Sequence, residues 1–347
     1  MRVFVFEFFT GGGCYTLPEE LEPTPRFIRE GGAMLRALIE DFTRCAGVTV
    51  AILADTRWQS PGPLPRCEMR PVSGPEEFDR HFSRLCEVAD YTLVIGPESR
   101  GILLSCVAQA ESLGARLLSP SARFVAWAAN KHATAEVLAR HGVRGTEGWT
   151  PGEFLDRHHS AATFPVIIKP ACGAGSEGIR MCGDADTVRF ACATAGDSEG
   201  MRIERFYPGH AYSRAVMCGP QGVLWLPLCE QHLSSDDTFR YEGGRVLSTQ
   251  RFEERLRRQL AGMDPIWSET IGYVGIDLVL GPDEEGADDV VIEVNPRLTT
   301  SYVGLRSAVT ANLAECMLSL ATGGRPNSLV ATRDVRFSSD GTVHAVD

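Results

Sequence analysis

The sequence predicts an α/β protein whose character changes along the chain towards α+β. In the first third, strand and helix signals alternate, which is typical of a parallel sheet with helices on both faces. After Asn130, apolar strands follow one another with glycine-rich or charged segments between them. No repeat of fixed period is present, so a solenoid or propeller is not supported. We expect an N-terminal parallel-sheet domain, residues 1–118, followed by a central lobe, residues 119–200, and a C-terminal lobe, residues 201–347.

The N-terminal elements are predicted from runs of β-branched and aromatic residues and from apolar residues at helical spacing. Strands are expected at 2–8, 48–53, 91–95 and 116–118, and helices at 33–41, 76–88 and 102–113. Ligands of such sheets bind at the carboxyl ends of the strands. Residues 7–13 and 96–100 are therefore predicted to form a binding edge.

The C-terminal elements follow from the same signals. A helix is expected at 130–141, ended by Gly142, a residue suited to a left-handed cap. Two strands at 164–170 and 179–182 flank a glycine-rich loop. The remaining predictions are helices at 186–194, near 251–261 and at 307–320, strands at 202–206, 212–218, 222–228, 273–280 and 289–294, and a closing hairpin at 335–346.

Composition excludes several functional classes. With 34 basic against 45 acidic side chains the net charge is −11, the wrong sign for a nucleic-acid-binding surface. No apolar run approaches the ~20 residues that span a bilayer, and the N-terminus lacks the apolar core of a signal peptide. The 11 cysteines are an odd number without a C-x-x-C pair, which argues against a disulfide framework or a zinc ribbon. We expect a cytoplasmic protein, and Cys172 is the cysteine of most interest.

Residues 173–178 match the pattern G-x-G-x-x-G. A dinucleotide-binding fingerprint requires a helix after the glycines, whereas a strand is predicted here, so we reject that interpretation. A glycine loop between two strands suits a flap that covers nucleotide phosphates with backbone N–H groups. Lys169, directly before it, could neutralise phosphate charge. The alternative is an ordinary hairpin loop with a solvated lysine.

Two apolar strands are interrupted by polar residues. Glu293 and Asn295 lie two positions apart and so share one face of a strand. If Asp277 on a neighbouring strand points the same way, three oxygen-bearing side chains converge, which suits Mg²⁺ bound through nucleotide phosphates. The alternative, strand-end acids that face solvent, fits poorly with the apolar neighbours.

These motifs occur in a characteristic order, and the set resembles the ATP-grasp superfamily. The resemblance covers about residues 118–330, and the preceding α/β region stands in the place of the pre-ATP-grasp domain. The segments that carry it are Asn130-Lys131, residues 166–170 with the glycine loop, residues 203–209, residues 275–277, and residues 293–297.

The resemblance implies a role for each matching residue. For ATP these are the phosphate-binding Lys131 and Lys169, the mobile-loop residues Gly173, Gly175 and Ser176, the adenine-binding carboxylate Glu204, and the backbone of Arg205 and Phe206. The implied ligands of Mg²⁺ or Mn²⁺ are Asp277, Glu293 and Asn295. The implied catalytic residues are Lys169 and Arg297, and Arg297 would lie near the γ-phosphate and the acyl phosphate.

One position departs from the family pattern. Many relatives carry a second acid about seven residues after the hinge glutamate to bind the ribose, and Ala211 stands there in this sequence. Ribose recognition would then fall to His210 or to a residue elsewhere.

The resemblance also implies the reaction. A carboxylate attacks the γ-phosphate of ATP to give an acyl phosphate and ADP, and an amine then displaces phosphate. Residues 6–13 and 295–302 look most like the tyramine–L-glutamate ligase group of methanofuran-type one-carbon cofactor biosynthesis. The implied substrate residues are Glu7, Gly11, Gly12, Thr299, Thr300 and Ser301. For the hydroxyl residues the alternative is a capped loop before the helix at 307–320.

Two other classes compete with the ligase. One is an ATP-grasp kinase that phosphorylates a small molecule, and the other is a nucleotide-binding regulatory protein without catalysis. Retention of both lysines, the metal-ligand types and Arg297 speaks against the regulatory class. The expected partners are small-molecule carboxylate and amine substrates, with no nucleic acid and no membrane, and we allow for a homodimer.

Overall fold

Four parallel strands form the N-terminal sheet of the computed structural model, which describes residues 1–18, 24–57, 66–158, 162–194 and 200–345. They run in the order β3-β2-β1-β4, so β1 has a neighbour on each side. The strands are β1 (Arg2–Glu7), β2 (Thr49–Asp55), β3 (Cys67–Val72) and β4 (Tyr91–Ile95), and the helices are α1 (Pro25–Arg44), α2 (Pro75–Val88) and α3 (Ile102–Ser112).

The sequence pattern predicted a strand at 116–118, but the sheet contains β3 instead. Residues 116–118 make only a single bridge, from Leu117 to Thr92, whereas β3 pairs with β2 over six residues. Pro71 lies in β3 and obscured it, because proline cannot donate to a ladder. It is tolerated because β3 lies at the edge of the sheet.

The middle sheet is antiparallel and has the order β5-β8-β6-β7. Its elements are α4 (Ala122–Ala128), α5 (Lys131–Arg140), β5 (Gly148–Trp149), α6 (Pro151–Glu153), β6 (Val166–Pro170), β7 (Arg180–Cys182), α7 (Ala185–Thr194) and β8 (Met201–Arg205). The Asn130 side chain caps α5 by accepting from the His132 and Ala133 N–H groups, and Gly142 follows it with φ +69°. Strand β8 is the first element of the predicted C-terminal lobe, but it pairs within this middle sheet. The division of the chain into three parts stays a prediction.

The C-terminal sheet has eight antiparallel strands in the order β14-β13-β9-β11-β12-β15-β16, with β10 beside β9. Its elements are β9 (His210–Gly219), β10 (Gly222–Trp225), β11 (Cys229–Leu233), β12 (Tyr241–Val246), α8 (Glu253–Leu260), α9 (Asp264–Trp267), β13 (Gly272–Leu280), β14 (Val290–Asn295), α10 (Ser301–Ala308), α11 (Leu313–Ala321), β15 (Val335–Ser338) and β16 (Val343–Ala345).

Two features of the C-terminal lobe differ from the prediction, and one agrees with it. Strands β11 and β12 were not predicted, because the two glycines of β12 give it a weak strand propensity and its neighbours β11 and β15 hold it in place. The predicted helix at 307–320 is two helices, since α10 ends at Ala308 and Asn312 caps α11. The closing hairpin forms as β15 and β16, and Val346 of that prediction lies outside the described residues.

Helix α1 joins the N-terminal sheet to the C-terminal lobe. Its buried residues belong to one apolar core with those of α10 and α11. Asp41 on α1 accepts from Tyr302 Oη at 2.8 Å and from Arg306 Nε at 2.9 Å. This packing turns the carboxyl end of β1 towards the C-terminal sheet. Within the described ranges, no helix has the length and apolar character needed to cross a membrane.

Candidate active site

A cavity of about 330 Å³ lies where the three sheets meet. The N-terminal sheet contributes the ends of β1 and β4, the middle sheet contributes β6, β8 and the glycine loop, and the C-terminal sheet contributes β11, β13 and β14. Of the residues that the sequence singled out, its lining includes Glu7, Lys169, Gly175, Ser176, Glu204, Arg205, Phe206, Asp277, Glu293, Asn295, Arg297, Thr299, Thr300 and Ser301.

The acids of β13 and β14 converge as their alternation predicted. Asp277 lies directly opposite Glu293 in the strand register. Asn295 Nδ2 donates to Asp277 Oδ2 at 3.1 Å, and Gln231 Nε2 donates to Asp277 Oδ1 at 3.0 Å. Two carboxylates and one amide therefore share one face of the C-terminal sheet, inside the cavity.

The surroundings shift the pKa values of the two carboxylates in opposite directions. Burial, and then the nearby Glu293, raise the pKa of Asp277 well above its ordinary value. Burial acts on Glu293 in the same direction, but the ammonium groups of Lys131 and Lys169 outweigh it and hold the pKa of Glu293 at about 2. Lys131 Nζ lies 3.1 Å from Glu293 Oε2. The pair thus favours sharing one proton, as expected where like charges meet in a buried place.

The donor set fits a hard divalent cation. In the described part of the chain, no group of three or more His, Cys, Asp and Glu side chains forms a metal site, and the set here is two acids plus an amide. Because Asn295 uses its amide nitrogen towards Asp277, its carbonyl oxygen is left as a donor atom. A site with few protein ligands, which leaves room for phosphate oxygens, is typical of Mg²⁺ bound through a nucleotide.

The glycine loop connects two paired antiparallel strands, β6 and β7, which confirms the strand–loop–strand interpretation. Gly175 and Ser176 have φ values of +67° and +65°, so this turn needs residues that tolerate the left-handed region. Gly173 does not line the cavity, but its carbonyl accepts from Lys131 Nζ at 3.3 Å. Because Lys131 also pairs with Glu293, this lysine links the loop to the acidic face of β14.

Lys169 and Glu204 form a buried ion pair with Nζ 2.7 Å from Oε2. The other carboxylate oxygen of Glu204 accepts from Thr146 Oγ1 at 2.8 Å and from Arg202 Nε at 2.7 Å. Burial would raise the pKa of Glu204, but Lys169 and Arg202 lower it below its ordinary value. Both oxygens are engaged within the protein, whereas the resemblance implied that this carboxylate accepts from the adenine amino group.

The wall beyond β8 is largely apolar and carries two facing aromatic rings. Phe206 and Phe239 have ring centroids 6.4 Å apart, and Leu233 and Ile292 line the same cavity. The Arg205 N–H donates to Glu147 O at 3.0 Å, so it is already used within the protein. Ala211 lines the cavity, whereas His210 does not.

Arg297 pairs with Glu98, a residue that the sequence pattern placed on the predicted binding edge 96–100 without a role of its own. Its guanidinium donates to Glu98 through Nε at 2.9 Å and Nη2 at 3.1 Å. Burial acts to lower the pKa of Arg297, but Glu98 raises it above the ordinary value, so the group stays charged. Nothing near Glu98 in the sequence indicates this partner.

Thr299, Thr300 and Ser301 lie on the cavity at the start of α10. The hydroxyls of Thr299 and Ser301 are 2.8 Å apart, and each lies within 3.1 Å of Tyr273 Oη. The helix begins at Ser301, not at the predicted position 307, and the Thr300 side chain makes no cap hydrogen bond. The capped-loop alternative is therefore wrong in this detail.

The N-terminal residues of the predicted site separate into two groups. Glu7 lines the cavity, whereas Gly11 and Gly12 do not. The Gly11 N–H donates to the Glu7 carbonyl at 2.8 Å, and Gly12 has φ +84° beside Val72. These two glycines form the turn that follows Glu7, which explains their pattern in the sequence without a substrate contact.

Comparison with known proteins agrees with this geometry. A family model described as an ATP-grasp domain matches residues 128–301, and one described as a pre ATP-grasp 3 domain matches residues 48–125. A tyramine–L-glutamate ligase of Methanocaldococcus jannaschii is 22% identical over 293 residues, which are 84% of this chain and 82% of that protein.

Solved structures show the same fold. A putative ATP-grasp superfamily protein from Archaeoglobus fulgidus matches with a TM-score of 0.67 and 22% identity over 97% of this chain and 92% of its own. An L-amino acid ligase from Bacillus licheniformis matches with a TM-score of 0.66 and 15% identity over 96% and 78%. The chain belongs to the ATP-grasp superfamily.

Proposed function

We propose that this chain is an ATP-dependent, ADP-forming ligase that joins the carboxylate of L-glutamate, or of another amino acid, to a tyramine- or tyrosine-like amine. The observation that carries the proposal is the meeting of Lys169 and Arg297 with the acids of β13 and β14 in one cavity, beside Lys131, which pairs with Glu293 and donates to the glycine loop. Phosphoryl transfer requires this concentration of positive charge around the moving group.

ATP is proposed to enter with its base between Phe206 and Phe239 and its phosphates towards the lysines. On ATP binding, Lys169 would leave Glu204 and Lys131 would leave Glu293, and both ammonium groups would then contact phosphate oxygens. The backbone N–H groups of Gly173, Gly175 and Ser176 would cover the phosphates. The base contact assigned to Glu204 moves to the backbone of Phe206, because the Glu204 carboxylate already has three donors.

Asp277, Glu293 and Asn295 are the residues that would hold Mg²⁺ or Mn²⁺. The ion would neutralise the β- and γ-phosphate oxygens and so lower the charge that the attacking carboxylate meets.

The chain's own residues then position the reactants and exclude water. The substrate carboxylate attacks the γ-phosphate, and Arg297, held rigidly by Glu98, stabilises the charge on the transferred group and on the acyl phosphate. The hydroxyls of Thr299, Thr300 and Ser301 lie within reach of a carboxylate substrate at this end of the cavity. Because an acyl phosphate is labile in water, the closed glycine loop protects it until the amine attacks.

The substrate assignment rests on the relatives that are described as tyramine–L-glutamate ligases, at 22% and 24% identity. A place in methanofuran-type cofactor biosynthesis follows from the same likeness, and the homodimer stays a prediction.

The test is ADP and phosphate release from ATP and Mg²⁺ with L-glutamate, alone and with a panel of amines that includes tyramine and tyrosine. Amine-dependent phosphate release with a condensed product of the summed mass, less water, supports the ligase. A phosphorylated product without free phosphate would establish the kinase alternative. Tight ATP binding without turnover on any amine would favour the regulatory alternative.

A further inference from the structure

The N-terminal wall of the cavity carries a buried acid that the proposed phosphoryl transfer does not use. Glu7 is 2% exposed. Its Oε2 accepts from the Thr10 N–H at 2.8 Å and from Thr10 Oγ1 at 2.7 Å, while among the described residues its Oε1 accepts from the Phe9 N–H alone, at 3.3 Å. Along the described ranges, no Lys, Arg or His nitrogen lies within 4.0 Å of this carboxylate. A buried carboxylate with spare acceptor capacity and no cationic partner calls for one from outside the chain.

Helix α1 is shaped around this carboxylate. A Cβ at position 31 would lie 2.4 Å from the Glu7 carboxyl carbon, so the carboxylate occupies the space that any side chain there would fill. Phe27, Gly31 and Met34 follow the i, i+4, i+7 spacing of one helix face, and all three line the cavity. The Glu7 carboxylate therefore lies on this helix face between the apolar side chains of Phe27 and Met34.

An aromatic surface continues from this point towards the glycine loop. Phe9 and Phe27 stack with centroids 5.3 Å apart and planes 6° from parallel. A Cβ on Gly175 would come within 3.0 Å of the Phe27 ring, so the loop closes directly over this pair. An apolar or aromatic body fits against these rings, with a positively charged end directed at Glu7.

We propose that Glu7, in the space that Gly31 leaves open, binds the ammonium group of the acceptor amine and takes up its proton, while the amine's apolar body packs on Phe9, Phe27 and Met34. This assignment rests on the proposed ligase function, because it names the residue that recognises and activates the second substrate.

Amide formation removes two protons from the bound ammonium group. The bound R–NH₃⁺ gives one proton to the Glu7 carboxylate, and the neutral nitrogen attacks the carbonyl carbon of the acyl phosphate. The C–N bond forms, the C–O bond to phosphate breaks, and phosphate leaves with the electron pair. The second proton of the nitrogen goes to the departing phosphate. Burial raises the pKa of Glu7 to about 7, which suits a group that accepts and releases a proton near neutral pH.

The first test compares two nucleophiles in wild type and in Glu7→Gln. Hydroxylamine is largely uncharged at neutral pH, so it traps the acyl phosphate as a hydroxamate without needing an ammonium site. The variant should lose about 100-fold in kcat/KM for tyramine but less than about threefold in hydroxamate formation. An equal loss in both reactions would overturn the proposal, because it would mean that Glu7 binds the amino group of the glutamate donor or serves only the turn at Thr10. No loss in either would also overturn it.

A binding measurement separates this proposal from the ligase function itself. Tyramine is titrated by calorimetry into the full chain saturated with ADP and Mg²⁺, and Glu7→Gln should weaken its binding at least about tenfold. This result stands even if no ligation product is found. Wild-type protein that binds no tyramine would overturn the assignment of this amine class.

A matched pair of variants tests the role of Gly31. Gly31→Ala places a methyl group on the Glu7 carboxylate, whereas Gly32→Ala, one residue later on the same helix, meets only Thr10 Cγ2 at 3.7 Å. Gly31→Ala should raise the KM for tyramine at least about tenfold with ATP affinity unchanged, and Gly32→Ala should leave both unchanged. Equal behaviour of the two folded variants would overturn the proposed role of position 31.

Discussion

Arg297 holds Glu98 through two parallel hydrogen bonds, although the residues lie 199 positions apart in the chain. The pair links the end of the N-terminal sheet to the segment that leaves β14. Glu98 is 4% exposed, so the pair is shielded from water. Its geometry is the two-pronged arrangement that fixes an arginine in orientation as well as in place.

Glu98→Gln should lower both stability and turnover. Removal of one partner leaves the Arg297 guanidinium buried without its counter-charge, which costs about 3–5 kcal/mol in the free energy of unfolding. Turnover should fall as well, because Arg297 would no longer be held at the reacting phosphate. Urea unfolding and steady-state kinetics measure the two effects.

Asp289→Asn is the control for this variant. It disturbs another buried pair, in which Arg255 Nε donates to Asp289 Oδ2 at 2.6 Å, outside the cavity lining. This variant should lose stability but keep its turnover per folded molecule. If Glu98→Gln behaved in the same way, the Arg297 pair would be structural only.

Lys169→Ala should weaken ATP binding about 10- to 100-fold, the range expected for the loss of charge-assisted hydrogen bonds. The partner of Lys169 complicates the interpretation, since the variant also leaves Glu204 with one cation fewer. Calorimetric titration of ATP should therefore include the double variant Lys169→Ala with Glu204→Gln. Affinity that stays low in the double variant supports a direct phosphate contact, and restored affinity would mean that Lys169 only neutralises Glu204.

Glu293→Gln should reduce Mg²⁺-dependent turnover at least about 100-fold, because the metal supplies several kcal/mol of charge stabilisation. The isosteric amide keeps the volume of the side chain, so the fold should persist by circular dichroism. Glu284→Gln, an exposed acid between β13 and β14, is the surface control. Normal activity and normal metal dependence in the Glu293 variant would remove the metal assignment.

Cys172 offers a reporter on the glycine loop, because it is exposed while every other cysteine is buried or half-buried. A thiol reagent should modify it first, and saturating ATP with Mg²⁺ should slow that reaction as the loop closes over the nucleotide. Alkylation followed by intact-mass measurement provides the rates, and Cys172→Ser should remove the fast phase. An alkylation rate that ATP does not change would argue against loop closure over the nucleotide.

Glu7 makes the stability depend on pH in a definite direction. Burial raises its folded pKa from 4.5 to about 7, although bonds from Thr10 and Phe9 and the charge of Arg297 act the other way. A raised pKa means that the folded state binds the proton more tightly than the unfolded state. The resulting stability is complete below about pH 4.5 and is lost as the pH rises through about 7.

The expected size of this effect is up to about 3 kcal/mol in the free energy of unfolding. Urea unfolding of wild type and Glu7→Gln across this pH range isolates it, since the other titrating groups cancel in the difference. Wild type should lose stability relative to the variant as pH rises. A difference that stays constant with pH would contradict the raised pKa.

The local features of this protein could be predicted from its sequence. Alternation along β14 placed Glu293 and Asn295 on one face, Asn130 and Gly142 marked the ends of α5, and the order of strand, glycines and strand excluded a dinucleotide site. These features depend on neighbours a few residues away, so periodicity and capping chemistry are enough to find them. The same local information predicted the site residues on β13, β14 and the glycine loop that the structure brings to one cavity.

Which residues meet across the fold depends on the tertiary structure. Glu98 with Arg297, Lys131 with Glu293, and Gly31 with Glu7 are pairs separated by long stretches of chain. An acid or a glycine has the same local pattern whatever it later faces, so no spacing rule could find these partners. Strands β3 and β12 also depend on distant residues. A proline in β3 and two glycines in β12 weaken the strand propensity of these segments, and the adjoining strands of the sheet hold them in place.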